Sequence, residues 1–230
     1  TPHYRADIKT LAAMFRFCVD PAGRTVRSDK ERARRIRERA GLLAFLRASV
    51  VTLARPDAAH DISTDPKRRQ WNSEHRVLNL NPDGRHQTRK RRATIKVARQ
   101  AAYLFDDCAG NFVKVASVKS AFESMAAEIK LPMAGESGMK LIRRSMAHLI
   151  RGRLRAMGKS EDELEIFLGH RNIDSVSELY APFDPNYLAT VTGIIEGIVD
   201  EIEAMAPGAF YRDDTAQGGN VSSIGRAKSA

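Results

Sequence analysis

The sequence predicts a mainly α-helical chain that contains a small antiparallel β-sheet. Apolar residues recur at helical spacing over most of the 230 residues. The pattern changes between residues 62 and 98, where residues 76–81 and 93–97 alternate apolar and polar side chains as strands do. The first of these strands ends in Asn-Pro-Asp-Gly, which favours a turn because proline presets φ and glycine permits positive φ. Hydrophobic residues make up 43% of the chain, which is enough to build a full core.

Two helices are predicted before the sheet. The first covers residues 5–18 and has one apolar face. The second is predicted as one long helix over residues 29–53, charged in its first half and apolar in its second, so that it runs from the surface into the core. Pro56 marks its end.

The chain after the sheet is predicted to be helical as far as a C-terminal tail. Ser160-Glu161-Asp162-Glu163 and the residues 175–178 both fit the capping box of a helix start, and Gly169 is expected just after a helix end. From residue 207 the chain is rich in Gly, Ser and Ala without periodicity, so a domain over residues 1–206 and a disordered tail over 207–230 are expected. The helices are predicted at residues 99–107, 117–130, 138–157, 160–168, 175–181 and 186–205.

The charge of the chain points to a polyanionic partner. Lys and Arg number 38 against 28 Asp and Glu, and the net charge of +10 is typical of nucleic-acid binders. The densest positive run is residues 85–92, here called the basic arm, which lies between two predicted strands. A soluble protein that is merely basic is the alternative, because net charge specifies partners only loosely. No apolar stretch is long enough to span a membrane, and two cysteines without clustered histidines make no zinc signature.

Several reactive side chains occur at suggestive spacings. Tyr180 follows His170 by ten residues, and Lys140 precedes Arg143 by three. Arg55 ends an apolar helix, where burying an unpaired charge would be costly, so a partner or a ligand is expected there. A phenol is a nucleophile and a guanidinium is a bidentate phosphate clamp, so together these groups indicate chemistry on a nucleic-acid phosphate. Singly, each has a structural alternative: a structural histidine, a half-buried aromatic residue, or a salt bridge from Arg55 to the nearby Asp57.

The order of these residues resembles the catalytic domain of the tyrosine recombinases, the phage-type integrases. The resemblance rests on Leu168-Gly169-His170 with Tyr180 ten residues after the histidine, on Lys140 with Arg143, and on Ala54-Arg55-Pro56-Asp57-Ala58 upstream, and it covers about residues 5 to 205. It implies the DNA breaking–rejoining fold, mostly helical with a three-stranded antiparallel sheet, and chemistry without a cofactor or metal. The helical core-binding domain that usually precedes this domain in the family is expected to be missing from this chain.

The resemblance also implies a role for each matching residue. Tyr180 would attack the scissile phosphate and form a 3′-phosphotyrosyl intermediate, with Lys140 assisting as general base. The two arginines would hold the non-bridging oxygens, His170 would donate a further hydrogen bond, and Lys90 would protonate the leaving 5′-oxygen. The six residues that match the catalytic positions are Arg55, Lys90, Lys140, Arg143, His170 and Tyr180.

The sequence departs from the family pattern at a few positions. Lys140 stands where histidine is commoner, Lys96 replaces a frequent proline after the last strand, and Ala58 stands where glutamate is frequent. Arg89 beside Lys90 leaves the register of the hairpin lysine open by one residue. None of these departures removes a reactive group, so an active site is expected.

Double-stranded DNA is the partner that the charge and the resemblance imply. The helix at 186–205 carries a wide apolar stripe, which either packs within the chain or docks on a neighbouring protomer, as in the family. A tetramer on paired DNA sites, a monomer when free, and a cytoplasmic protein of bacterial or phage origin are therefore expected. The residues predicted to contact DNA are Arg85, Arg89, Arg91, Arg92, Arg144 and Arg151.

The expected function is site-specific DNA recombination by strand cleavage and rejoining. One alternative is a non-catalytic DNA-binding module of the same fold. Another is a relaxase of the type IB topoisomerase kind, which shares the chemistry. For Arg151 the alternative is a solvated helix arginine without a role in binding.

Overall fold

A computed structural model describes residues 2–21, 26, 28–132, 135–170 and 181–211 of the chain. These residues form a mainly helical structure with a three-stranded antiparallel sheet, which confirms the coarse fold class. The helices are α1 (Ile8–Val19), α2 (Asp29–Glu38), α3 (Ala40–Thr52), α4 (Pro56–His60), α5 (Arg99–Asp106), α6 (Lys119–Glu128), α7 (Leu141–Ala156), α8 (Asp162–Phe167) and α9 (Ala189–Met205).

The sheet is small and its strands follow one another in sequence. Its strands are β1 (Trp71–Asn72), β2 (Val77–Asn79) and β3 (Thr94–Lys96), in the order β1-β2-β3. Leu78 lies opposite Ile95 in the pair β2–β3. The basic arm connects these two strands, so the predicted strands and the arm between them are confirmed.

Helix α9 forms the centre of the helical core. It packs against α1, α3 and α7, and Ile195, Ile198 and Ile202 on its apolar face are buried. The stripe predicted at 186–205 is therefore covered within the same chain, which is the first of the two alternatives. The helix begins three residues later than predicted, because Leu188 before it adopts a positive φ of 53°.

The long helix predicted over residues 29–53 is wrong, since it is two helices joined at Arg39. This residue ends α2 with φ −92° and ψ 0°. Its guanidinium donates to the carbonyl of Phe17 and lies 3.5 Å from the centre of the Phe17 ring. A cation–π contact with a neighbouring helix holds the junction, and helical periodicity carries no signal for such a contact.

Residues 208–210, which belong to the predicted tail, pack against the helical core. Phe210 is fully buried, and its ring centre lies 4.9 Å from that of Phe15 on α1. Arg47 donates to the carbonyls of Ala209 at 2.6 Å and Gly208 at 3.0 Å. One aromatic side chain and one arginine fasten this stretch, so periodicity does not reveal it. The remaining tail residues, 212–230, lie outside the described part of the chain.

The capping box predicted at residues 160–163 is also wrong. The Ser160 hydroxyl accepts from the amide of Asp162 at 3.2 Å, and the Glu163 carboxylate accepts from the amide of Val191 at 2.8 Å. Glu163 thus caps α9 rather than its own helix. The second predicted box and all but the last residue of the helix predicted at 175–181 fall on residues 171–180, outside the described ranges. None of the described helices is long and apolar enough to cross a membrane.

Candidate active site

One narrow cleft collects residues from distant parts of the sequence. It lies where α8 and the basic arm meet the start of α4 and the first turn of α7. Three of the six residues predicted to be catalytic line it. The residues that line it include Arg55, Asp57, Lys90, Arg91, Arg143 and Phe167.

Arg143 lies in the first turn of α7, is half-buried, and is held by two backbone carbonyls. Its guanidinium donates to the carbonyl oxygen of Leu53, at the left-handed end of α3, and to that of Leu168 at 2.6 Å. Burial, and next the positive charge of Arg55, lower the pKa of Arg143 to about 10. The group therefore stays charged at neutral pH. Both carbonyl acceptors are neutral, so they orient the charge without cancelling it.

Arg55 reaches the same cleft from the N-cap position of α4. Its Nη1 donates to the carbonyl oxygen of Arg91 at 3.1 Å, which ties the start of α4 to the basic arm. The salt bridge proposed between Arg55 and Asp57 is not what the structure shows. Asp57 instead accepts from Arg92 at 3.3 Å, because the arm folds back over α4. Arg55 and Arg143, here called the arginine pair, are thus both oriented by carbonyls.

Gly169 allows α8 and the basic arm to approach closely. The amide of Gly169 donates to the carbonyl of Ile166 at 2.8 Å and that of His170 to the carbonyl of Glu165 at 2.9 Å, the paired bonds of a Schellman motif, as predicted for a helix end. Gly169 has φ +61°, and a Cβ there would lie 2.5 Å from the carbonyl oxygen of Arg91. That oxygen is the acceptor for Arg55. Glycine is therefore required both by its backbone conformation and by the approach of the arm.

Replacing Gly169 with alanine should destabilise the fold and disturb the arginine pair. The left-handed conformation alone costs an alanine about 1 kcal/mol, and the new methyl group must also displace the Arg91 carbonyl. Gly158→Ala is a matched control, because Gly158 has φ +63° and a Cβ added there would meet no atom within 4 Å. Denaturant unfolding should show a larger loss in the free energy of unfolding for Gly169→Ala than for Gly158→Ala. Equal losses in the free energy of unfolding would show that the close approach of the Arg91 carbonyl adds nothing to the cost of an alanine at position 169.

His170 is oriented by a chain of charges from α7. Its Nδ1 lies 2.8 Å from a carboxylate oxygen of Glu165, and Arg151 lies 3.5 Å from the other oxygen of that carboxylate. A carboxylate only accepts, so Nδ1 carries the proton in this contact. The Nε2 atom then donates a hydrogen bond only when the ring is protonated. The side chain is half exposed, as a residue that contacts a ligand requires.

The two lysines of the predicted site lie differently from the arginines. Lys90 lines the cleft and is exposed on the basic arm. Lys140 is the exposed N-cap residue of α7, one turn before Arg143, and it is not among the residues that line the cleft. Tyr180 lies outside the described residues.

The residues predicted to contact DNA fall into two groups. Arg89 is exposed and Arg85 half-buried on the basic arm, while Arg91 lines the cleft. Arg92, also predicted to contact DNA, has a side chain that is only 6% exposed and pairs with Asp61 and Asp57. These ion pairs hold the end of the basic arm against α4 and Asp61.

The two arginines of α7 predicted to contact DNA are also engaged within the protein. Arg151 lies 2.5 Å from Glu161 and also contacts Glu165. Arg144 donates to the carbonyl oxygen of Glu136 at 2.6 Å. Both are half-buried, so any contact with DNA would compete with these partners.

Sequence reasoning missed the residues that support the site. Glu165, which orients His170, and Asp61, which neutralises Arg92, were not singled out. A usable signal for Glu165 is its place five residues before His170, across the helix end at Gly169. Asp61 has no comparable signal, because its partner Arg92 is distant in the chain.

Comparison of the chain with protein-family models, with curated proteins and with solved structures gives no significant match.

Proposed function

We propose that the chain is the catalytic domain of a tyrosine-type site-specific DNA recombinase, with the DNA breaking–rejoining fold. The observation that carries the proposal is the arginine pair: two guanidinium groups, distant in sequence, share one cleft and are oriented by neutral carbonyls. Arg92 and Arg151 are paired with carboxylates instead. Arg47 and Arg144 also donate to backbone carbonyls, but neither lines this cleft. An anion with several oxygens, such as a phosphodiester, complements a site that holds two charges in this way.

The proposed reaction exchanges one phosphodiester for another. The phenolic oxygen of Tyr180 forms a bond to phosphorus as the bond to the 5′-oxygen breaks, and the product is a 3′-phosphotyrosine and a 5′-hydroxyl. Lys140 accepts the phenolic proton and Lys90 gives a proton to the leaving oxygen. The arginine pair stabilises the charge that develops on the non-bridging oxygens. Attack by the 5′-hydroxyl of another strand reverses the step, so the energy of the bond is conserved.

Protonated His170 would add one more donor to the same phosphate. Its Nδ1 proton is held by Glu165, so only the imidazolium presents an N–H at Nε2. Arg151, by contacting Glu165, limits how far the carboxylate moves.

A nicked suicide substrate tests the proposal. In such a duplex the short strand beyond the scissile phosphate diffuses away after cleavage, so the covalent adduct accumulates. The expected product is a protein–DNA adduct whose attached peptide contains Tyr180. If substrates covering many sequences give no adduct although the protein binds them, the chain is a non-catalytic DNA-binding module. Relaxation of supercoiled DNA by the monomer, without synapsis of two sites, would favour the topoisomerase-like alternative.

DNA binding by this domain should be weak and steeply dependent on salt. Each phosphate that a basic residue neutralises contributes about −0.9 to the slope of log affinity against log salt concentration. Arg89→Ala, on the exposed arm, should remove one phosphate contact and so make this slope less negative by about 0.9. Arg153→Ala is the control, because Arg153 is paired with Glu201 at 2.5 Å. Fluorescence anisotropy at several salt concentrations measures both slopes, and equal reductions would mean that the arm is not the contact surface.

A further inference from the structure

One peptide group of the basic arm contacts the arginine pair. The carbonyl oxygen of Arg91 accepts from Nη1 of Arg55 at 3.1 Å. The next amide along the chain, that of Arg92, belongs to the same peptide group and donates to Oε1 of Gln87 at 3.1 Å. A peptide group is planar and trans, so its C=O and N–H point in opposite directions. This peptide group is therefore held at both ends, by Arg55 at its oxygen and by Gln87 at its nitrogen.

Gln87 closes a loop of the basic arm through both polar atoms of its side chain. Its Nε2 donates to the carbonyl oxygen of Arg92 at 3.0 Å, while its Oε1 accepts from the amide of the same residue. The two bonds close a loop over residues 88–91, which carries Lys90 and the carbonyl that holds Arg55. Gln87 is exposed, yet both of its polar atoms contact the backbone of a single residue.

The side chain of Arg92 fixes the same stretch against α4. Only 6% of the side chain is exposed, and its guanidinium lies 3.3 Å from Asp57 in the first turn of α4 and pairs with Asp61 at the end of that helix. These ion pairs fix where Arg92 lies, but the peptide group that precedes it can still rotate about the two soft dihedrals that flank it. The bond from its N–H to Gln87 opposes that rotation.

We infer that Gln87 is a positioning residue for Arg55, acting through the peptide group that follows Arg91. The inference rests on the proposed function. Hydrogen bonds in a chain polarise one another, so the bond at the N–H end also makes the carbonyl oxygen a better acceptor. Gln87 thus both aims this oxygen and strengthens its bond to Arg55. A guanidinium held in this way is oriented before the phosphate arrives, as the stabilisation of developing charge requires.

The test measures whether the effect of Gln87→Met depends on Arg55. Methionine is similar in length to glutamine and uncharged, so the variant loses both hydrogen bonds without changing the charge of the arm. Gln100→Met is the matched control, because Gln100 donates to the carbonyl of Glu196 and to the carboxylate of Asp200 and does not line the cleft. Both substitutions are made in the unmodified chain and in Arg55→Ala. A thermal melt shows that each variant is folded, and anisotropy measures its affinity for DNA.

The single-turnover rate of adduct formation on the suicide substrate, at saturating protein, is the first readout. Gln87→Met should slow it on the order of 10-fold with unchanged affinity for DNA, a smaller loss than removal of Arg55 itself causes. In the Arg55→Ala background it should change the rate by less than about 2-fold, because substitutions that act on one contact are not additive. Gln100→Met should leave the rate unchanged in both backgrounds. An unchanged rate for Gln87→Met, or an equal loss in both backgrounds, would overturn the inference and leave the proposed function standing.

Hydrogen exchange of the Arg92 amide, followed by NMR, tests the same coupling without DNA. Arg55→Ala should speed this exchange roughly 2-fold to 10-fold, the effect of weakening one hydrogen bond, although Arg55 bonds the other end of the peptide group. Arg153→Ala should leave it unchanged. Unchanged exchange in Arg55→Ala would overturn the inference. If the unmodified protein forms no adduct, the proposed function fails, and this exchange alone then decides whether Gln87 orients Arg55.

Discussion

Tyr180→Phe is expected to abolish covalent attachment to DNA and to leave binding almost unchanged. Only the phenolic oxygen is lost, while the arginine pair and the basic arm remain to hold the phosphate backbone. The attacking oxygen is itself a reactant in a step that forms a covalent bond, so its loss should have a complete effect rather than a graded one. The measurement is denaturing electrophoresis of the protein with a labelled suicide substrate, alongside anisotropy for binding.

Tyr211→Phe is the matched control for this prediction. Tyr211 is a partly exposed tyrosine whose hydroxyl donates to the carboxylate of Asp200, a contact that raises its pKa and makes it a poor nucleophile. Its variant should form the adduct at the normal rate. An adduct formed by the Tyr180→Phe protein would assign the nucleophile elsewhere, and Tyr187 would be the next residue to test.

Arg143→Ala should slow adduct formation far more than it weakens binding. Loss of one preorganised donor at a developing charge costs on the order of 10²–10³ in rate. Arg143 fits this description, because the carbonyls of Leu53 and Leu168 hold its guanidinium before any ligand arrives. Arg55→Ala should behave alike, since Arg55 is held by the carbonyl of Arg91.

The control for the arginine pair lies on the same helix as Arg143. Arg153 is engaged by Glu201, so Arg153→Ala should leave the rate of the chemical step unchanged. Single-turnover rates at saturating protein separate this step from binding. Similar losses for Arg143→Ala, Arg55→Ala and Arg153→Ala would show a generic basic surface rather than a phosphate clamp.

Local patterns predicted the elements that depend on nearby residues. Alternation predicted β2 and β3, and Gly169 was predicted as a helix end, because a Schellman motif involves only a few consecutive residues. The convergence of Arg55 and Arg143 was predicted only through the family resemblance. Hydrophobic periodicity does not indicate that the first turn of α7 lies against the end of α3.

The predictions that failed depend on contacts between distant segments. Asp57 was assigned to its neighbour Arg55 but pairs with Arg92, which the folding of the arm brings over α4. The long helix is divided at Arg39, whose guanidinium donates to the carbonyl of Phe17 on another helix and lies over its ring. In both cases the deciding contact joins segments that are distant in sequence, so local patterns do not reveal it.

The neutral acceptors of Arg143 make the stability of this fold conditional on its surroundings. Folding lowers the pKa of Arg143, so below that pKa the charged group opposes folding. An anion bound at the arginine pair relieves this opposition and is bound only by the folded chain. Such a ligand stabilises the native state by RT ln(1 + [L]/Kd). If the proposed DNA phosphate is that anion, it is thermodynamically a component of the folded structure, and the chain is then least stable in its free form.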